Sequence, residues 1–228
     1  MRDARPLMIF AAGFGTRMGA LTAHRPKPML ELAGRRMIDR AIDIGHDAGC
    51  APIVVNTHYL AEVIRPVLEE RGVAVSHEGP KILDTGGGLK HALPLLGDGI
   101  FATLNPDTAW LGPNPLVSLR DAPWPDDAGA LLLLAPRARA HARTSPGDFD
   151  RAPDGRLTRG GGYVYTGAQL IRSEAVSRIP AEAFSLNAVW DALAAEDSLY
   201  GQVYSGGICD VGHPDGLVLA DRLMRDHP

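Results

Sequence analysis

Leu7-Met8-Ile9-Phe10-Ala11-Ala12-Gly13-Phe14-Gly15-Thr16-Arg17-Met18 is the stretch whose reading decides the fold. Its apolar start, taken over residues 6–12, lacks polar alternation and reads as a strand buried on both faces, as in the middle of a parallel sheet. Glycines at 13 and 15 follow at once. Without Cβ atoms they let the backbone turn sharply and present N–H groups to an anion. Two familiar nucleotide loops are excluded: G-x-G-x-x-G needs glycine where Met18 stands, and a P-loop needs Gly-Lys-Ser/Thr. What remains is a glycine loop carrying Arg17, followed by Lys27 between Pro26 and Pro28. Arg17 offers a planar fork for phosphate oxygens, Lys27 a point charge. The prolines stiffen the backbone around Lys27. Two cations on one glycine loop suit a triphosphate, one on the leaving pyrophosphate and one at the phosphorus under attack.

Outward from that loop, strands and helices alternate. Met37, Ile38, Ala41, Ile42 and Ile44 stand at helical spacing and predict an amphipathic helix over 34–48. Strands are expected at 52–56, 73–76, 101–105, 128–135 and 162–166, and helices at 60–71, 87–96, 185–196 and 216–225. Residues 136–159, rich in Arg, Pro, Gly and Asp, read as loops with short antiparallel strands, and 112–126, with four prolines, as the least regular segment. A βαβαβ start of this kind implies an α/β fold, a mostly parallel central sheet with flanking helices and right-handed crossovers. No repeat or low-complexity linker interrupts 1–228, so one domain is expected.

The 228 residues carry 23 Lys plus Arg against 27 Asp plus Glu, a net charge of −4, which gives no basic footprint for nucleic acid. No apolar run nears the roughly 18 residues a membrane span needs, and 7–12 is too short for the core of a signal peptide. Two cysteines cannot form a disulfide framework, and Cys50 reads as a small core residue. A cytoplasmic protein is expected. Lysine survives only at 27, 81 and 90, the other basic residues being arginine, which draws attention to Lys27.

Ala11 to Met18, Leu21-Thr22, Pro26-Lys27-Pro28-Met29-Leu30 and Gly34 together resemble the signature of the sugar-1-phosphate nucleotidyltransferases. Among its subfamilies the chain looks most like the short N-acetylmuramate α-1-phosphate uridylyltransferases of cell-wall recycling, which lack a C-terminal β-helix. The resemblance implies a Rossmann-like nucleotidyltransferase fold. It also implies Mg²⁺-dependent transfer of a nucleotidyl group, from UTP in that subfamily, to a sugar 1-phosphate with release of pyrophosphate. Rival expectations are guanylyl transfer to mannose 1-phosphate, cytidylyl transfer to phosphocholine, or a catalytically weakened nucleotide-sugar binding protein. The partners are then the nucleoside triphosphate and the sugar phosphate, with no nucleic acid or membrane, in a monomer or weak homodimer.

Carried onto this chain, the resemblance makes Arg17 and Lys27 catalytic, with Ala12, Gly13, Gly15 and Thr16 around the nucleotide. The cluster His77-Glu78-Gly79-Pro80-Lys81-Ile82-Leu83-Asp84-Thr85-Gly86-Gly87-Gly88 resembles the family segment that receives the base. Thr85, Gly86 and Gly87 are its nucleotide-binding candidates, although Asp84 or Thr85 also suits a helix cap. Asn56, at a strand end, reads as a base or ribose contact or as a turn former. Displacement at phosphorus needs charge compensation more than covalent help, and a hard cation held by carboxylates supplies it. The family places two metal-binding aspartates where Asp107 and Asp210 stand. One departure is Pro106, where Gly or Ser is common; it removes an N–H and either tilts Asp107 or stiffens the turn. Asn105, Asp148, Tyr165, Thr166 and Gly167 resemble the acceptor pocket. The lysine that the uridylyltransferases carry near 185 is replaced by Ser185, which leaves Arg137, Arg139, Arg143 and Arg159 as spare cations for the acceptor phosphate.

Overall fold

The computed structural model describes residues 4–226, so His227 lies outside it. In chain order the elements begin with β1 (Leu7–Phe10), β2 (Glu31–Leu32), β3 (Arg35–Arg36), α1 (Met37–Asp47), β4 (Ile53–Thr57), α2 (Ala61–Glu70), β5 (Ala74–His77) and α3 (Asp84–Leu96). They continue with β6 (Ile100–Leu104), β7 (Thr108–Leu111), α4 (Pro115–Asp121), β8 (Ala130–Pro136), β9 (Ala140–His141) and β10 (Phe149–Arg151). Next come β11 (Leu157–Arg159), β12 (Tyr163–Arg172), α5 (Ser173–Ser177), α6 (Leu186–Ala195), β13 (Leu199–Val203), β14 (Gly207–Asp210) and α7 (Pro214–Asp226).

β1 runs parallel to β4 on one side and β6 on the other, with Leu7 opposite Ile53 and Ala102. Its four residues alternate between two cores. Leu7 and Ile9 face Ile38, Ile42, Ile64 and Leu68 from α1 and α2, whereas Met8 packs with Leu89, Val189 and Trp190 from α3 and α6. A strand covered on both faces must be apolar at every position, hence its unbroken run. Gly45 of α1 brings that helix close, since a Cβ there would stand 2.6 Å from Leu7 Cδ2.

The main sheet has the order β11-β10-β12-β6-β1-β4-β5, with β8 pairing both β12 and β13. Its half around β1 is parallel, while β12 runs antiparallel to β6 and β8. From β1 the chain passes through α1 to β4 on one side and later returns through α3 to β6 on the other. That reversal opens a crevice at the carboxyl ends of β1 and β6. A second sheet, β7-β14-β9, stands beside the crevice, and a third apolar cluster (Met18, Leu30, Met37, Cys209, Val211 and Ala220) ties it to the glycine loop.

The expected α/β architecture holds, and several element bounds change. α3 starts at Asp84 and takes in the three glycines. The segment read as irregular contains α4, whose Asn114 side chain caps Leu116 N and Val117 N at 2.9 and 3.2 Å ahead of Pro115. β7, β13 and β14 went unread because each is a short run whose pairing partner is distant in sequence. Among the described residues no helix is long and apolar enough to cross a membrane.

Candidate active site

At the carboxyl ends of β1, β4 and β6 lies a cleft of about 350 Å³, lined by Ala12, Gly13, Gly15, Thr16, Arg17, Lys27, Asn56, Thr85, Asn105 and Asp107 among others. Such a volume is in the range of small-ligand sites. Gly13 is exposed with nothing within 4 Å of where a Cβ would be, so its backbone borders open cleft. Gly15 has φ 64° and packs on the Lys27 stem, a Cβ there falling 3.0 Å from Lys27 Cβ. Both its conformation and its crowding require glycine. The exposed Phe14 ring leans on His58 and Tyr59 with centroids 5.6 and 5.7 Å away, pinning the loop to the start of α2.

Pro26 is extended and Lys27–Met29 form one 3-10 turn, which holds Lys27 with only 8% exposure. Its Nζ donates to Asp107 Oδ2 at 2.5 Å. Asp107 follows β6 and Pro106, and Pro106 is buried in the cleft wall. Asp210 ends β14 opposite Thr108, and Val211 N donates to Asp107 O at 2.9 Å. One backbone link therefore joins the two aspartates. Asp210 Oδ1 and Arg17 Nη1 both border Gly212, where a Cβ would stand 3.0 and 3.1 Å from them. The four charged groups singled out from sequence thus gather at one end of the crevice, two cations and two carboxylates. Such a set can grip polyphosphate oxygens and, through its carboxylates, a hard cation.

The other expected residues divide. Asn56 is 2% exposed, and its amide is committed internally: Oδ1 accepts from Ala11 N at 2.7 Å and Nδ2 donates to Glu78 Oε1 at 2.6 Å. It supports the loop from within. Gly86 and Gly87 are buried in α3, where both N–H groups donate to Phe184 O at 2.8 and 3.0 Å. Their want of side chains admits the Phe184 ring and the 182–183 backbone, with Cβ positions 2.4 and 2.3 Å from those atoms. Thr85 stays at the cleft, its Oγ1 accepting from Leu186 N at 3.0 Å.

Asp148 accepts from Arg143 Nη2 at 2.8 and 3.0 Å and from Tyr165 N at 2.8 Å. The Tyr165 ring packs edge-on against Trp190 at 4.7 Å, and burial pushes its phenol above the usual range. Thr166 does not offer its hydroxyl to the cleft. It is 1% exposed and donates to Leu133 O at 2.8 Å. Gly167, at φ 92°, accepts from Asn105 N at 2.8 Å and leaves room for the Asn105 side chain.

Sequence reasoning passed over Glu78. This carboxylate is 6% exposed, accepts from Asn56 Nδ2 and, at 2.9 Å, from Leu83 N, and fills the space that a Cβ on Gly88 would need. It ties the glycine loop to the segment before α3, and its sequence signal was an acid placed directly after a strand and ahead of glycines.

Residues 7–152 match the family described as MobA-like NTP transferase domain. An N-acetylmuramate alpha-1-phosphate uridylyltransferase of Caulobacter vibrioides is 35% identical, the match covering 96% of each chain. One from Neisseria meningitidis serogroup B is 30% identical over 90% of this chain and 92% of its own. A solved UDP-glucose pyrophosphorylase complexed with UDP-glucose shares the fold with a TM-score of 0.82 at 14% identity, over 99% of this chain and 100% of that one. The chain belongs to the MobA-like NTP transferase domain family and is a nucleotidyltransferase, the class that its glycine-loop signature resembles.

Proposed function

We propose that the protein transfers a uridylyl group from UTP to N-acetylmuramate α-1-phosphate, releasing pyrophosphate and forming the UDP-sugar. The observation that carries the reading is that Arg17, Lys27 and Asp107 line one cleft, with Asp210 beside it at Gly212. Relatives of that printed activity, matching nearly the whole chain, support the choice of substrates. An acceptor phosphate oxygen attacks the α-phosphorus in line, the new P–O bond forms, and the bond to the bridging oxygen breaks as pyrophosphate departs. The nucleophile is already anionic, so no general base is required. Arg17 offsets charge on the departing pyrophosphate, and Lys27, fixed by its prolines and Asp107, offsets charge growing at the α-phosphate.

The donor set suits Mg²⁺. Asp107 and Asp210 are oxygen ligands with side chains 28% and 24% exposed, on adjoining strand ends. With two carboxylates from the protein, the remaining ligands of such an ion would be phosphate and water oxygens. When bound, Mg²⁺ supplies charge neutralisation at the reacting phosphates. Gly13, Gly15, Thr16 and the Ala12 backbone cradle the nucleotide phosphates and ribose, with Thr85 beside the base and Asn56, Gly86 and Gly87 shaping that pocket from behind. Asn105 and Asp148 face the acceptor, over packing supplied by Tyr165, Thr166 and Gly167. We read the whole chain as one catalytic unit working in the cytoplasm, where nucleoside triphosphates are made.

Pyrophosphate release over four nucleoside triphosphates and several sugar 1-phosphates tests the reading. UTP with N-acetylmuramate 1-phosphate should give the highest kcat/KM, and the rate should vanish with EDTA. Preference for GTP with mannose 1-phosphate would move the enzyme to another substrate pair. Tight nucleotide binding with no release would make it a sensor.

A further inference from the structure

Of the six arginines between residues 136 and 159, the four named above as spare cations are not equivalent. Arg137 donates to the carbonyls of Ala140, Arg143 and Ser145 at 3.1, 2.7 and 3.1 Å and so builds the loop. Arg139 holds Ser205 O, while Arg159 pairs with Asp191 and lies over the Phe149 ring. Arg143 alone among these four meets carboxylates on both sides of the acceptor region. Its Nη2 is shared by the two Asp148 oxygens, and its Nη1 stands 3.6 Å from Asp210 Oδ2. Its Nε is buried without a hydrogen-bond partner.

The two contacts are unequal. At 2.8 and 3.0 Å the link to Asp148 is a charge-assisted hydrogen bond, whereas 3.6 Å to Asp210 is electrostatic contact alone. The Asp210 side is therefore the first to be given up. Asp148, Asp210 and Arg143 sum to −1; a dication at Asp210 turns this to +1, and a phosphate monoester dianion restores −1. We propose that Arg143 serves as a resident counter-ion for Asp210. It yields that carboxylate to the divalent cation, and the arm so freed receives the acceptor phosphate while Asp148 keeps the guanidinium in place. The inference rests on the reading above of Asp210 as a cation ligand and of the acceptor as a sugar phosphate. It makes cation loading a precondition for acceptor capture, and it supplies the charge that Ser185 lacks.

The test compares wild type with Arg143→Gln and Arg143→Lys, after circular dichroism shows each folded. Mn²⁺ binding to the protein without nucleotide or acceptor is read by electron paramagnetic resonance. Removing the competing cation should tighten Mn²⁺ binding in Arg143→Gln by about 3- to 10-fold, and Asp210→Asn in that background should erase the gain. In steady-state assays the KM for the sugar phosphate should rise at least ~30-fold while the KM for UTP stays within about 2-fold, with partial recovery in Arg143→Lys. A merely structural arginine would weaken both binding events. Mn²⁺ affinity that falls or stays level in Arg143→Gln overturns the counter-ion role, and an unchanged acceptor KM overturns the phosphate role. If wild type transfers no nucleotidyl group with any substrate pair, the proposed function and the acceptor half fall together. The Mn²⁺ comparison then decides the counter-ion half by itself.

Discussion

The molecule has two glycine-rich stretches, one after β1 and one opening α3, and they do opposite work. Around Gly13 the space where a side chain would go is empty and opens on the cleft. Around Gly86 and Gly87 that space is filled by Phe184 and the backbone of residues 182–183, and the glycine N–H groups are already bonded. In the first case absent side chains leave room for a ligand. In the second they leave room for the protein itself. Glycine density alone does not distinguish a binding loop from a packing contact; the neighbours do.

Lys27→Ala breaks the first region most severely. The variant should keep its melting temperature within a few degrees but lose turnover by more than ~100-fold, as expected for removal of one preorganised charge at the reacting phosphate. Pyrophosphate release at saturating substrates measures it, and near-wild-type turnover would remove Lys27 from the chemistry. Next in size is the exchange between the stretches. Gly86→Ala must displace the Phe184 ring and carbonyl, which should cost about 2 kcal/mol and lower Tm by roughly 4–8 °C. Gly13→Ala meets nothing in the fold and should leave Tm unchanged; with the loop cradling phosphates as proposed, kcat/KM should fall about 10-fold. Equal Tm losses in the two variants would erase the distinction.

The smallest effect concerns the thiols. Burial pushes Cys50 and Cys209 up to about 11, so neither is a thiolate at neutral pH. Iodoacetamide at pH 7.5 should leave both unmodified in the native protein and label both after denaturation. Because the folded protein holds these protons more tightly than the unfolded chain, their contribution to stability is complete below about pH 8.5. It is lost as the pH rises toward 11, and a chemical denaturation midpoint that falls between pH 8.5 and 10.5 would register it.

What could be read without coordinates was what is written locally. β1, the glycine loop and Lys27 between its prolines lie in short motifs whose residue types follow from strand burial or phosphate chemistry, and the two aspartates were picked out by the family resemblance. The rest depended on partners remote in sequence. The α3 glycines look like a ligand loop until Phe184 arrives from nearly a hundred residues downstream. Thr166 resembles a substrate donor until Leu133 O takes its hydroxyl. Glu78 gains its meaning only when β4 and β5 pair and bring Asn56 beside it. Arg143 could not be separated from the candidates Arg137, Arg139 and Arg159 by composition, since its distinction is the pair of carboxylates it stands between.

The backbone link from Val211 to Asp107 also bears on how the enzyme is made. During translation the parallel strands, the glycine loop and Lys27 emerge early, whereas β14 is the last strand to appear. A nascent chain can therefore bury much of its apolar interior yet stay inert toward nucleoside triphosphates until that strand docks. Half-made copies then squander none of the cell's nucleoside triphosphates.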